Sequence, residues 1–394
     1  MISVEKALEL IKKYAEILEN PEFSTVANSL NRILAEDIYA PFSLPPFRQS
    51  IMDGYALRKG KTLIYKIVGE IKTGDSCTFT LEPGEAIRVF TGAQVPETAD
   101  MVVMQENVKI TNEGIQLAEK PKDGINIRNI GDQIEKGNIS LIKGETLNPS
   151  AIGILQSFGM SQVQVFRKPK ITVISTGNEL VEIGKSLEKG QIYESNSLVL
   201  KSVLKQKGIK IESIKKVQDS LKETEIAIEQ ALENSDIVLI SGGISVGDYD
   251  FVGAALHNLG VKEIFYKVLQ KPGKPIFFGK KDNKYVFALP GNPASTLTCL
   301  YVYVFSLIDL IMGKNEVGLT KIQFPLSENL ENLSGRALFL KAKLQGNEVQ
   351  VLNQQNSSIL ISFARADALV YIPSDCKEVK KGELVTTILL PFGR

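Results

Sequence analysis

The sequence predicts a multidomain α/β protein, organised around a central doubly wound, mostly parallel sheet. Three observations support this class. The chain has 394 residues, which is more than one compact domain usually holds. Between residues 169 and 315, short apolar runs alternate with helical patterns, as in parallel sheets covered by helices on both faces. Outside that segment most apolar runs are short, β-branched and separated by turn sequences, which is typical of β-rich domains.

The first domain is predicted to be helical and extended, and to consist of two separate stretches. Apolar residues recur at helical spacing over 4–18, just before Pro21. A second short helix is predicted at 27–35, and a helical pattern returns over 147–158. From this order we assign one discontinuous domain to residues 1–41 and 141–168.

Two β-rich domains are predicted on either side of the central sheet. Residues 42–140 contain short runs separated by T-G-D, E-P-G-E, T-N-E-G and K-D-G, and they are expected to form a small β-rich domain. Residues 318–394 contain A-L-F-L-K-A-K-L and L-V-T-T-I-L-L, and they are expected to form a compact C-terminal β barrel, with a β sandwich as the alternative. The remaining stretch, 169–315, is the predicted α/β domain.

The α/β domain is predicted to carry its ligand at the carboxyl ends of its strands. Its predicted strands are 170–175, 209–217, 236–240 and 285–289, and its predicted helices are 196–207, 220–232, 251–258 and one that begins at Asn292-Pro293. Each strand is followed by one of four motifs, T-G-N-E, Q-D-S, S-G-G-I-S-V-G-D-Y-D and L-P-G-N-P. The four loops are therefore expected to share one rim of the sheet.

Composition excludes several classes of partner and site. Lys+Arg 46 and Asp+Glu 45 give a net charge of +1, so the chain has no overall basic field for nucleic acid. Three cysteines and one histidine argue against a Cys/His zinc site and a disulfide framework, and they favour a cytoplasmic location. The N-terminus has no apolar secretory core, and the apolar stretch 297–312 is shorter than the ~20 residues of a spanning helix. We expect neither nucleic acid nor membrane as a partner.

The rim loops predict an anion site with carboxylates beside it. Glycines at 242 and 243 let backbone N–H groups approach an anion closely. The glycine loop after Ile240 is not followed by G-K-[ST], and no G-x-G-x-x-G opens the first helix of this domain, which argues against a Walker A loop and a Rossmann dinucleotide site here. Oxygen ligands on this rim would suit Mg²⁺, although each carboxylate taken singly could also cap a helix or face solvent. The carboxylates concerned are Glu179, Asp219, Asp248 and Asp250.

A basic loop follows in Y-K-V-L-Q-K-P-G-K-P, which contains Lys267, Lys271 and Lys274. The prolines and the glycine restrict its backbone, so the lysines are expected in defined positions rather than in a freely solvated loop. Such a loop suits an oxyanion substrate. No Ser-His or Cys-His pair is evident, so a water molecule is a more plausible attacker than a covalent enzyme nucleophile.

Eight motifs in order resemble the molybdopterin molybdenumtransferase family, which includes MoeA and the gephyrin E domain. They are P-F-R-Q-S-I-M-D-G-Y-A, R-V-F-T-G-A-Q-V-P, V-V-M-Q-E, I-R-N-I-G-D-Q-I, S-T-G-N-E-L, S-G-G-I-S-V-G-D-Y-D, K-P-G-K-P and L-P-G-N-P. The resemblance implies an enzyme that inserts molybdate into adenylylated molybdopterin with Mg²⁺, cleaving the pyrophosphate and releasing AMP and molybdenum cofactor. It also implies a homodimer with the site between subunits, and molybdopterin adenylyltransferase and molybdoenzymes as candidate partners. A molybdopterin adenylyltransferase and a non-enzymatic scaffold stay open as alternatives.

The resemblance also implies roles for individual residues. Asp53, Thr91 and Asp132 would reach the partner's rim from the second domain, and Lys341 stands where the family commonly has an arginine, whose planar fork a lysine lacks. The implied catalytic residues are Asp53, Thr91, Asp132, Glu179, Asp219, Asp250, Lys267 and Lys271. The implied substrate-binding residues are Ser241, Gly242, Gly243, Ser245, Lys274, Pro290, Asn292, Pro293, Lys341 and Ser357. The implied metal ligands are Asp219, Asp248 and Asp250.

Overall fold

The computed structural model describes residues 1–244 and 251–391. Three predicted site residues, Ser245, Asp248 and Asp250, therefore lie outside the described residues. The described part is a multidomain α/β structure with a mixed central sheet and two β-rich regions, as the sequence predicted.

The N-terminal region joins two stretches that are far apart in the sequence. Glu22–Thr25 pairs antiparallel with Gln162–Val165, and Ile38–Tyr39 pairs antiparallel with Ile139–Leu141. The helix Pro149–Ser157 packs its apolar side chains against these strands. This pairing fits the discontinuous domain expected from the sequence, whose exact boundaries stay predictions.

The two predicted N-terminal helices differ in outcome. The first is present as Val4–Tyr14, and its buried side chains join the core of the α/β domain rather than that of the neighbouring strands. The predicted helix over 27–35 is wrong. Only Val26–Asn28 forms a single 3₁₀ turn, because Ile33 and Leu34 form bridges to other extended segments and their backbone is used there.

The second domain contains a six-stranded sheet with apolar clusters on both faces. Tyr55 and Leu57 belong to one cluster and Ala56 to the other, because successive side chains of a strand point to opposite faces. A short ladder beside the sheet joins Gln49–Ser50 to Ile127–Arg128. The strand order across the sheet is Met101–Met104, Gly54–Leu57, Glu85–Val89, Ile64–Ile71, Gly114–Leu117 and Val108–Thr111.

The α/β domain contains a mixed six-stranded sheet. In chain order its strands are β1 (Ile171–Thr176), β2 (Ile211–Val217), β3 (Ile237–Ser241), β4 (Lys262–Tyr266), β5 (Phe277–Lys281) and β6 (Lys284–Leu289). The order across the sheet is β2-β1-β3-β6-β5-β4, and the first four strands are parallel. β5 is antiparallel to both of its neighbours. The sequence predicted the four parallel strands and missed β4 and β5, which flank the K-P-G-K-P loop.

Helices cover both faces of this sheet. They are α1 (Asn196–Gln206), α2 (Leu221–Asn234), α3 (Phe251–Asn258) and α4, which runs from Pro293 to Ile311 through a π-helical segment, Leu300–Val304. α2 and α3 pack on one face, and α1 and α4 pack on the other with the N-terminal helix. In the described part of the chain, α4 alone is long and apolar enough to cross a membrane, but 94% of the residues in its most apolar stretch are buried in the protein.

The C-terminal strands close into a barrel. The barrel strands are Lys321–Pro325, Ala337–Gln345, Glu348–Val351, Ala368–Ile372 and Leu384–Leu389. Four of them form a continuous antiparallel ladder, and Glu348–Val351 pairs with Ala337–Gln345. A bridge between Leu326 and Val349 closes the ring, supported by a 3.0 Å hydrogen bond from Ser327 N to Val349 O. Gln270–Lys271, from the basic loop, extends the edge of this sheet beside Ala337–Leu338.

Candidate active site

The parallel strands end together at one rim of the α/β sheet. Ser241, the last residue of β3, lies in register with Ser175 of β1 and Leu289 of β6. The loops that follow enclose a cavity of about 570 Å³. Eight predicted site residues line this cavity, namely Glu179, Asp219, Ser241, Gly242, Gly243, Pro290, Asn292 and Pro293.

Two glycines on the rim have backbone conformations that other residues resist. Gly242 and Gly243 have φ angles of +92° and +64°. A Cβ atom at Gly242 would lie 2.5 Å from the main-chain oxygen of Thr176, and a Cβ at Gly243 would lie 2.5 Å from the Thr176 hydroxyl oxygen. The loop therefore packs directly on the end of β1, and side chains at these two positions would have no room.

The rim carboxylates are only partly described. Asp219 is fixed by its neighbour, since Asn178 N donates to Asp219 Oδ2 at 3.2 Å and Asp219 N donates to Asn178 Oδ1 at 3.1 Å. Glu179 lines the same cavity. Within residues 1–244 and 251–391, no group of three His, Cys, Asp or Glu side chains is placed to hold a metal ion. Of the three predicted metal ligands, only Asp219 belongs to that part of the chain.

Sequence reasoning missed two residues of the cavity wall that lie at the start of α1. Glu194 accepts a 2.9 Å hydrogen bond from the main-chain N–H of Ser197 and a second bond from its hydroxyl group. Asn196 donates from Nδ2 to Ser241 Oγ at 2.9 Å and to Gly291 O at 2.7 Å. The available signal was Y-E-S-N-S directly before a helical pattern, where polar side chains often satisfy free N–H groups.

The backbone of the basic loop is hydrogen-bonded to a buried glutamine. Gln270 is 0% exposed, and its Nε2 donates to the main-chain oxygens of Pro272 and Gly273 at 2.9 and 3.3 Å. Its Oε1 accepts from the hydroxyl of Tyr303, which lies in the π-helical segment of α4. A Cβ at Gly273 would lie 2.6 Å from Cys299 Sγ, so this turn also packs tightly on α4. The loop backbone is therefore rigid.

The three lysines of this loop extend in different directions. Lys271 and Lys274 are exposed, whereas the half-buried Lys267 has a φ of +65° and places its Nζ 4.5 Å from the ring centre of Tyr266. Pro275 carries the loop to the cavity wall, which includes none of the three lysines. Their contact with a substrate stays a prediction.

A second polar site lies in the β-rich domain. Asp53 Oδ1 accepts hydrogen bonds from both the backbone N–H and the hydroxyl of Thr91, each at 2.7 Å. The backbone bond first, then the hydroxyl bond and the nearby Arg88 charge, lower the pKa of Asp53. Asp132 accepts a 2.7 Å bond from Asn129 N within its own turn, and its catalytic role stays a prediction. Asp53 and Thr91 are thus in direct contact, neither is part of the described cavity wall, and their catalytic roles stay predictions.

Comparison with known proteins covers nearly the whole chain. The family model for the MoeA N-terminal region (domain I and II) matches residues 2–159, that for a probable molybdopterin binding domain matches 172–309, and that for the MoeA C-terminal region (domain IV) matches 323–390. The molybdopterin molybdenumtransferase of Haemophilus influenzae is 34% identical over 403 residues, covering 100% of this chain and 99% of that protein. The chain belongs to the molybdopterin molybdenumtransferase family. It is therefore a transferase of molybdenum cofactor biosynthesis, as its motifs predicted.

Further relatives agree with this assignment. A molybdopterin molybdenumtransferase of Staphylococcus epidermidis is 33% identical, covering 98% of this chain and 95% of that protein. The crystal structure of a molybdopterin biosynthesis MoeA protein from Pyrococcus horikoshii matches with a TM-score of 0.87 and 28% identity, covering 99% of this chain and all of that one. The multidomain fold is thus shared with this family along the entire chain.

One residue implied by the family resemblance has an unexpected environment. Lys341 is 2% exposed, and its Nζ donates to the main-chain oxygens of Gln354, Asn356 and Ile359 at 3.0, 3.2 and 3.4 Å. Burial lowers the pKa of Lys341. Three donors and three acceptors leave the ammonium no free proton, so direct contact with an oxyanion would require it to leave these carbonyls.

The loop over residues 352–360, whose main-chain oxygens accept from Lys341, connects the barrel to the rim. Ser357 O accepts from Ala294 N at 3.0 Å, and Ser357 Oγ accepts from Asn292 Nδ2 at 3.0 Å. Its neighbour Ser358 lines the cavity. The barrel region thus contributes Ser358 to the cavity wall, and contact of Ser357 with substrate stays a prediction.

Proposed function

We propose that the chain inserts molybdate into adenylylated molybdopterin, cleaving the pyrophosphate and releasing AMP and molybdenum cofactor. The observation that carries this proposal is the rim cavity, where the glycine loop after β3 and the P-G-N-P turn after β6 face one another. Backbone amides beside small residues suit phosphate oxygens. The volume of about 570 Å³ is in the range of small-molecule sites, which supports a nucleotide or pterin ligand.

The proposed chemistry depends on positioning and electrostatics. The glycine loop would hold the phosphate, and the rigid loop with Lys267, Lys271 and Lys274 would neutralise the incoming oxyanion. The chain has a single histidine, His257, which lies on α3 and does not line the cavity. A Ser-His pair is therefore not available, and water is the proposed attacker.

We propose Mg²⁺ as the metal that neutralises the pyrophosphate. Asp219 would be one ligand, with Asp248 and Asp250 as the others, because Mg²⁺ prefers carboxylate oxygens and water. The described residues do not form a metal site by themselves. Removal of divalent ions with EDTA should stop AMP release, and Mg²⁺ should restore it.

We also propose that the working form is a homodimer in the cytoplasm. Asp53 and Thr91 belong to the second domain and do not line the cavity of their own chain. A second subunit would bring its own Asp53–Thr91 pair to the rim, where this exposed pair would act on the substrate bound in the cavity. Molybdopterin adenylyltransferase, as the source of the substrate, and molybdoenzymes, as receivers of the product, are the proposed further partners.

One assay tests the proposal. The protein is incubated with adenylylated molybdopterin, Mg²⁺ and molybdate, and AMP and active cofactor are measured together. Release of both supports molybdenum insertion, and a parallel reaction without molybdate shows whether the two steps are coupled. Turnover of ATP with bare molybdopterin alone would favour an adenylyltransferase, and no turnover in either reaction would favour a scaffold. Asp219→Asn serves as the rim-defective control.

A further inference from the structure

Asn196 connects the two anion loops of the rim. From the first residue of α1, its side-chain amide reaches both Ser241, at the end of β3, and Gly291, in the P-G-N-P turn. The two hydrogen bonds, of 2.9 and 2.7 Å, use both protons of the same nitrogen. One side chain therefore sets the separation of the two loops.

The orientation of this amide is fixed by its partners. A main-chain oxygen can only accept, so the NH₂ group of Asn196 must face Gly291 O. The same nitrogen then donates to Ser241 Oγ, which makes that oxygen an acceptor in this bond. The hydroxyl proton of Ser241 must consequently point elsewhere.

Ser241 is well placed to give this proton to a ligand. It is 2% exposed and lines the cavity beside Gly242 and Gly243. Among the residues that the structure describes, its hydroxyl has Asn196 as a hydrogen-bond neighbour, and that neighbour is itself a donor. A nearly buried donor at the edge of a glycine loop is suited to an anionic oxygen.

We propose that Asn196 is a positioning residue, which orients the Ser241 hydroxyl as a donor to a phosphate oxygen of the substrate and holds the two anion loops in register. This inference rests on the proposed function of the same cavity. Without Asn196, the Ser241 hydroxyl is free to rotate and to bond to water or to a protein carbonyl. A hydrogen bond to a charged group is strong enough that its loss lowers affinity roughly tenfold or more.

The test compares two ligands that differ only in the phosphate. Binding of AMP and of adenosine is measured by calorimetry with wild type, Asn196→Ala and Asn234→Ala. Asn196→Ala is expected to weaken AMP binding about tenfold and to leave adenosine binding unchanged. Asn234 is the matched control, because its Nδ2 donates to Gln230 O at 2.8 Å on the exposed end of α2. Asn234→Ala should change neither affinity.

A double-mutant cycle distinguishes positioning from a general structural role. If Asn196 acts in part through Ser241, then Asn196→Ala combined with Ser241→Ala should weaken AMP binding by less than the sum of the two single effects on the binding free energy. Asn196→Asp keeps the shape of the side chain, and its carboxylate would accept the Ser241 proton. This variant should therefore lose AMP affinity even if Asn196→Ala folds poorly.

Three results would overturn the inference: additive effects in the cycle, equal losses for AMP and adenosine, or wild-type protein that binds AMP no more tightly than adenosine. None of these measurements needs turnover. Failure of the proposed function would appear separately, as an absence of AMP release from adenylylated molybdopterin.

Discussion

The rim of the α/β domain and the Asp53–Thr91 pair of the β-rich domain are built in opposite ways. The rim gathers residues from several strand ends and from the barrel around a cavity of about 570 Å³. The pair consists of two exposed residues, in which the backbone N–H and the hydroxyl of Thr91 both donate to the Asp53 carboxylate. A cavity can hold a ligand by itself, whereas an exposed pair can act only on a ligand that is held elsewhere. The difference suggests that binding and part of the chemistry are divided between domains.

The largest expected effect comes from removing the Asp53 carboxylate while the rim is left intact. Asp53→Ala should lower turnover at least about 100-fold, the order of loss for a positioned proton-transferring or charge-stabilising group. The folded state and the proposed dimer should remain, since Asp53 is exposed. Turnover is measured by AMP release, and assembly by light scattering. A monomeric protein with full activity would contradict the division between subunits.

Mixing two inactive variants tests whether the regions meet across subunits. In a heterodimer of Asp53→Ala with Asp219→Ala, a shared-site arrangement leaves one intact site. Random exchange in a symmetric dimer should then restore about a quarter of wild-type activity. Exchange is verified with differently tagged subunits. No recovery after verified exchange would place both residues at the same site of one subunit.

The glycine loop of the rim should tolerate substitution less well than other loops of similar backbone shape. Gly243→Ala introduces a Cβ at 2.5 Å from Thr176 Oγ1 and 2.6 Å from Val252 Cγ2, and it should weaken AMP binding about tenfold through displacement of the loop. Gly260→Ala is the matched control, because Gly260 has a φ of +72° and no atom within 4 Å of a Cβ there. It should cost roughly 1–2 kcal/mol of stability from backbone strain alone. Equal AMP affinities in the two variants would show that the loop does not bind the phosphate.

The contrast also shows what sequence could predict. The rim followed from local patterns, because parallel strands end at one edge and the loop motifs come directly after them, as at Ser241 and Leu289. The Asn196 bridge could not be predicted in this way, because it depends on the distance between two loops that α3, β4, β5 and β6 separate in the sequence. The position of the first helix could not be predicted either. Its apolar face indicated that the helix is buried, but not that it packs on the core of the α/β domain. Pairing partners over long separations are set by tertiary packing, which periodicity does not encode.

A variant at Lys341 tests whether this buried ammonium stabilises the barrel or binds the oxyanion at the rim. Lys341→Met keeps the length of the side chain but removes the donor from three main-chain oxygens. It should lower the free energy of unfolding by about 1–3 kcal/mol, the cost of unsatisfied polar groups. Urea unfolding measures this loss, with Lys343→Met on the same strand as control. Unchanged stability together with a large loss of molybdate affinity would show instead that the ammonium binds the oxyanion directly.

The smallest effect is expected at the hydrogen bonds within the exposed pair. Thr91→Val removes the hydroxyl donor to Asp53 and leaves the backbone N–H, so the pKa of Asp53 should rise toward its ordinary value. A carboxylate with a depressed pKa stays charged as pH falls, until the pH passes through that depressed pKa. If turnover requires the charged form, the acid limb of kcat/KM should therefore lie at higher pH in Thr91→Val, with little change near neutrality. Thr111→Val, on an edge strand of the same sheet, should leave the limb in place. NMR titration verifies that the pKa of Asp53 differs between Thr91→Val and wild type. If it does and the acid limbs of the two proteins are nevertheless identical, ionisation of Asp53 does not limit the reaction.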